Sequence, residues 1–201
     1  MPKLNKSKKV VIIIIALAIV VFFTTLYKAL FYAATDEVPL PAGAANEALA
    51  NQDGSLYPAM LSIPKLNINA EVVEVGITSR GNMGTPNNYA NLGWYKYGIL
   101  PGEVGSAVMA GHVDNGLSLA GVFSNLKDLE KGDGVFVTNK SGVKLSFVVS
   151  EINTYDFDDR NTNVFTKQDG KFLKLVTCTG AWVSNAKTHD QRLVVTAVLS
   201  P

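Results

Sequence analysis

The chain is poor in the residues that most often staple a fold or bind a metal. Its 201 residues include one cysteine, Cys178, and two histidines, His112 and His189. A single cysteine cannot form an internal disulfide, which removes the usual brace of small exported domains. One cysteine and two histidines are also too few for a structural zinc site. Asp156, Asp158 and Asp159 form an acidic cluster, but they lack the ligand spacing of a calcium loop. No metal and no cofactor is therefore expected. A basic field is missing too. Lysines and arginines number 18 against 17 acidic residues, and five of the lysines fall within residues 1–34, which hold no acid. The remainder has 13 basic and 17 acidic residues, a net charge of −4. Nucleic acid is thus not an expected partner. No internal repeat is visible.

Long hydrophobic runs are likewise scarce, with one exception. Val10–Leu26 is an uncharged stretch of 17 residues that Tyr27 extends. About 20 apolar residues cross a bilayer, with a lower limit of about 17. Lys3, Lys6, Lys8 and Lys9 precede the run and only Lys28 follows closely, which keeps the N-terminus cytoplasmic and sends the rest outward. A cleavable signal peptide is the rival reading. Cleavage after Ala34 or Ala33 would place Tyr32 or Phe31 where a small residue is required. The run is therefore read as an uncleaved anchor in contact with membrane lipid. The expected division is a basic cytoplasmic tail (1–9), a transmembrane anchor (10–27), a stalk or linker (28–56) and one domain (57–201). A short helix around Asn46–Asn51 is expected within the stalk.

The last 145 residues can bury a real core. They read as mostly β. Strands are expected at Ala59–Ile63, Ala70–Val75, Ser106–Ala110, Gly134–Thr138, Lys144–Glu151, Phe172–Thr177 and Leu193–Leu199. Gly132-Asp133-Gly134 and Lys140-Ser141-Gly142 are turn signals. Val122–Leu129 suits one or two helical turns. Short strands with this punctuation suggest a sandwich or a closed barrel.

The lone thiol then needs a reason. An unpaired cysteine outside the cytoplasm is a liability unless it is buried or used. A nucleophilic thiol needs a nearby base or cation. His112 is a candidate partner because it follows an apolar strand and one glycine. His189 lies in the polar run 185–190, which reads as an exposed loop. Arg192 opens the last strand and offers a permanent cation with a rigid donor fork. Taken singly, each residue has an ordinary reading. Cys178 suits a buried core position, His112 a strand end, and Arg192 a structural cation. Asp114, two residues past His112, reads as a solvated carboxylate or as an orienter of the ring.

The ordered set of motifs resembles the sortases, membrane-anchored cysteine transpeptidases. The nucleophile motif stands here as Leu175-Val176-Thr177-Cys178, the histidine motif as Gly111-His112, and the arginine as Arg192 before an apolar run. Leu61-Ser62-Ile63-Pro64, Gly93-Trp94-Tyr95, Pro101-Gly102, Gly121-Val122-Phe123 and Gly132-Asp133 continue the match in order. It covers about residues 57–201 and is closest to the class F-like sortases, with classes D and E open.

The resemblance implies a closed β-barrel of about eight strands with short helices, plus one N-terminal transmembrane helix. It implies that Cys178 attacks the Thr–Gly bond of a Leu-Pro-any-Thr-Gly-like sorting signal and forms a thioacyl intermediate. His112 would serve as acid and base, and Arg192 would hold the oxyanion or the substrate backbone. Thr177 would help position substrate and Trp182 would wall the groove, although the two also read as a strand residue and a barrel cap. The segment Ile152–Lys171 would recognise the signal. Partners would be sorting-signal-bearing surface proteins and an amine in the cell wall or on a pilus subunit, met outside the cell membrane. Two alternatives stay open: a hydrolytic cysteine protease or amidase on the same fold, and a non-catalytic anchored binding module. In the module, Cys178 would be buried far from His112 and Arg192. The L,D-transpeptidases are set aside because 66 residues separate His112 from Cys178.

Overall fold

The computed structural model describes residues 5–33, 35–39, 54–115, 117–159, 163–166 and 169–201. The expected helix at Asn46–Asn51 lies outside the described residues. The apolar N-terminal run forms one helix, α1 (Lys6–Phe31), with no buried residue. It is long and apolar enough to cross a membrane. A two-residue strand, β1 (Glu37–Val38), pairs antiparallel with β4 (Ile77–Thr78).

The rest is mostly β. The strands are β2 (Pro58–Ile63), β3 (Ile68–Val75), β5 (Leu92–Tyr95), β6 (Gly105–Gly111), β7 (Gly134–Asn139), β8 (Lys144–Asp156), β9 (Lys171–Val183) and β10 (Thr188–Leu199). These eight close into a barrel in the order β10-β8-β7-β2-β3-β5-β6-β9, with β9 pairing back to β10. Closure removes exposed sheet edges. A short helix, α2 (Asn163–Thr166), packs against β6 from outside.

Alternation along the strands builds the core. Ala107 and Met109 of β6, Leu173 and Leu175 of β9, and Leu193, Val195 and Ala197 of β10 all join the central cluster with Trp94, Phe123 and Phe147. Their sequence neighbours Val108, Ala110, Val176, Val194 and Thr196 fall outside that cluster because period-two geometry turns them to the outer face.

Several elements depart from the sequence expectation. β5 was not expected. It has four residues, one a glycine, and pairs parallel with β3 and antiparallel with β6. β8 runs through Ile152–Asp156, so the intervening segment begins at Phe157. β9 and β10 extend toward each other as a two-stranded ribbon, with Thr188 opposite Val183. His189 therefore lies on a strand and is half-buried, not in an exposed loop, and Arg192 lies five residues into β10. The expected turns at Val122–Leu129 shrink to a 3-10 turn at Leu126–Asp128.

Core packing makes a direct prediction. Phe147 is fully buried and Val143 is 54% exposed. Phe147→Ala should cost about 3–5 kcal/mol, whereas Val143→Ala should stay within about 0.5 kcal/mol. Equilibrium urea unfolding of the two variants measures both.

Candidate active site

β9 sits between two different partners. It runs parallel to β6, with Ala110 opposite Val176 as the last pair, and antiparallel to β10, with Cys178 opposite Arg192. Continuing the β6 register by two positions brings His112 level with Cys178. The Thr177 hydroxyl fixes that alignment by donating to the Gly111 carbonyl at 2.8 Å. Cys178 and Arg192 thus lie opposite each other on β9 and β10, and His112 directly follows the end of β6 on the other side of β9. They share the outer face, because each is an odd step away from an inward-facing residue: Thr177 (4% exposed), Gly111 and Leu193 (5%).

The site lies where the barrel gives way to the β9–β10 ribbon. The register shifts between His189 and Gln191, setting Gly180 and Ala181 against Asp190. This bulge requires a residue at φ +83°, and Gly180 supplies it. The Asp190 carboxylate accepts from the Ala181 N–H at 2.8 Å and occupies the space a Cβ on Gly180 would need.

Arg192 is held tightly. Its Nη1 donates to the carbonyls of His189 (2.9 Å) and Gln191 (2.8 Å), and its Nη2 donates to Thr188 Oγ1 at 2.8 Å. The Thr188 hydroxyl also hydrogen-bonds the Cys178 thiol. Because Thr188 accepts from Arg192, its own proton is available for the sulfur. The sequence reading missed Thr188, which sat in a run taken for loop.

His112 is cradled from another direction. Its Nε2 is 2.8 Å from the Pro86 carbonyl, and the Tyr89 ring lies 4.7 Å from its ring. Its own carbonyl accepts from the Phe123 N–H at 2.9 Å, and a Cβ on Gly121 would strike that carbonyl. Gly121 is thus a position where only glycine lets the two backbones approach. Pro86 and Tyr89 were also missed, because they come from a connection about 25 residues upstream.

Burial dominates the electrostatics. It pushes the Cys178 thiol up, with Asp114 adding to the effect and Arg192 and Thr188 opposing it. It pushes the His112 imidazole down, opposed by the Pro86 hydrogen bond and the Asp114 charge. At neutral pH the resting pair is a thiol and a neutral imidazole. Asp114 does not contact the His112 ring. Its Oδ2 lies 3.3 Å from His189 Nε2, which makes no hydrogen bond but sits within ion-pair range when the ring is protonated. Trp182 is 58% exposed and packs edge-on against His189, with ring centroids 5.5 Å apart. Among the described residues no group of three acidic, histidine or cysteine side chains is placed to hold a metal ion.

The sortase domain model matches residues 61–200. The chain therefore belongs to the sortase family. Among solved structures, sortase C-1 from Actinomyces oris is 27% identical, covers 75% of this chain and 76% of its own, and gives a TM-score of 0.53. The Clostridium perfringens sortase D5 transpeptidase is 24% identical with coverages of 77% and 86% and a TM-score of 0.55. For Streptococcus agalactiae sortase C1 the identity is 22% and the TM-score 0.54, and this chain spans 66% of that protein's length. No match was found among curated proteins.

The lone cysteine makes the thiol directly measurable. The alkylation rate of Cys178 by iodoacetamide should climb with pH to a midpoint above the ordinary thiol range. Thr188→Val should move that midpoint further up and Thr188→Ser should restore it. An unchanged midpoint in Thr188→Val would mean that the hydroxyl does not act on the sulfur.

Proposed function

We propose that the protein is a membrane-anchored cysteine transpeptidase that cleaves the Thr–Gly bond of a Leu-Pro-any-Thr-Gly-like sorting signal. What supports this reading is the pairing of Cys178 with Arg192, with His112 just past the end of the β6 strand that flanks β9, in a chain of the sortase family. The binding-module alternative required these residues to be far apart.

The chemistry follows from the positions. The Cys178 thiol passes its proton to His112 as the sulfur attacks the threonine carbonyl carbon, forming a C–S bond. The tetrahedral intermediate collapses as the C–N bond breaks, and His112 gives a proton to the departing glycine amine. An incoming amine then attacks the thioester. A new C–N bond forms, the C–S bond breaks, and His112 takes the amine proton and returns it to the departing sulfur. Arg192 supplies fixed positive charge beside the sulfur. A guanidinium N–H turned from its carbonyl partners would meet the oxyanion. Thr177 fixes the register under the sulfur, and Trp182 offers an exposed wall. The connection from β8 to β9, the family's recognition segment Ile152–Lys171, would meet the signal. The acceptor is an amine of the cell wall or of a pilus subunit. α1 crosses the membrane with its N-terminus in the cytoplasm and the barrel outside. Hydrolysis is the same sequence with water in the amine's place.

Peptide cleavage tests the roles. Cys178→Ala should abolish cleavage, with a loss of at least about a thousandfold, while the circular dichroism of the barrel is retained. His112→Ala should approach that loss and His189→Gln should not. Full activity in Cys178→Ala, or a reversed order for the histidines, would contradict the assignment. Mass analysis of reactions containing an amine separates transfer from hydrolysis.

A further inference from the structure

We infer that the last turn of α1 is part of the support for His112, acting through Asn115 and the segment 86–89, so that the membrane helix completes the site as well as tethering it. This rests on reading α1 as the anchor and His112 as the acid and base.

Two separate ties join α1 to the histidine's surroundings. The first is Asn115, three residues past His112 and only 6% exposed. Both ends of its side-chain amide are used. Its Oδ1 accepts from the N–H groups of Leu117 (2.9 Å) and Leu119 (3.0 Å), and its Nδ2 donates to the Leu30 carbonyl at 2.9 Å. That carbonyl belongs to the last turn of α1, where no intrahelical donor is available. The second tie is a short backbone ladder. Tyr89 N–H donates to the Phe31 carbonyl at 3.1 Å, Ala33 N–H donates to the Asn87 carbonyl, and Tyr32 bridges Asn88. The segment carrying this ladder is the one that reaches His112, through the Pro86 carbonyl and the Tyr89 ring. Val122 N–H also donates to the Tyr89 carbonyl at 2.9 Å, which ties the segment to the strip beneath the His112 backbone.

The effect is exclusion of water. The groups that act on the ring are Tyr89 from the segment 86–89 and Asp114 from its own loop, with His189 beyond Asp114 and Cys178 and Arg192 on the neighbouring strands β9 and β10. α1 and the two residues after it enter through the backbone atoms of Leu30, Phe31 and Ala33, so they contribute cover and position rather than charge. Freeing the segment 86–89 lets water reach the ring, and the burial that holds the imidazole low is relaxed.

The test uses the full chain in nanodiscs with isotope-labelled histidine. Two histidines give two signals, which His189→Gln assigns. Asn115→Ala removes the first tie. Ala33→Pro removes one N–H of the second from the helix side; Tyr32 before it is already extended, at φ −128° and ψ 131°, and so accepts a following proline. The His112 midpoint should lie below the ordinary imidazole value in the parent protein and rise by about 0.5–1 pH unit in each variant. The Cys178 alkylation profile should stay within about twofold. An unmoved His112 in Ala33→Pro overturns the inference, as does a joint shift of His112, His189 and Cys178, which would mean general loosening. If Asn115→Ala does not fold, Ala33→Pro decides alone. Parallel peptide assays keep the two readings apart. An active parent with an unmoved His112 sinks only the coupling, and an inactive parent with a shifted His112 sinks only the transpeptidase reading.

Discussion

The structure depends most on the register of β9 against its two neighbours. One neighbour is parallel and one antiparallel, so a slip of one residue on either side would turn Cys178 away from His112 or from Arg192. The hydrogen bond from the Thr177 hydroxyl to the Gly111 carbonyl sits at the level where the parallel pairing ends. Inward packing of Leu173, Leu175, Leu193 and Val195 fixes the same register from below. The residues of the proposed reaction therefore inherit their alignment from the core.

Burial at that level has a chemical consequence. It disfavours both the thiolate and the imidazolium, so the two groups rest neutral. The opposing influences on the sulfur are Arg192 and the Thr188 hydroxyl that Arg192 holds. In the proposed reaction, bound substrate would remove more water and leave these as the main partners of a developing charge. The Gly180 bulge turns the ribbon so that Thr188 and His189 come back toward the barrel mouth.

The barrel was legible because its signals are local. Apolar alternation marks the long strands, and Cys178, His112 and Arg192 each sit beside such a strand. β5 escaped notice because four residues including Gly93 are too few to show a period. The extensions of β9 and β10 were lost for a different reason. Thr179 to Val183 and Thr188 to Gln191 are polar and glycine-containing, which is how a ribbon outside a core reads, and how a loop reads too. That ambiguity hid Thr188 and misplaced His189. Pro86, Tyr89 and Asn115 could not be found from sequence at all. Their importance comes from what they touch across the fold, and no spacing rule records it.

The central claim is that the Cys178 sulfur becomes covalently joined to substrate. Mass spectrometry of the intact protein, quenched in acid during turnover of a Leu-Pro-any-Thr-Gly peptide, tests it most directly. The account predicts an adduct of the peptide's N-terminal portion, released by hydroxylamine and mapped to the fragment containing Cys178. Turnover with no such adduct, in a protein whose Cys178 is still open to alkylation throughout, would contradict it.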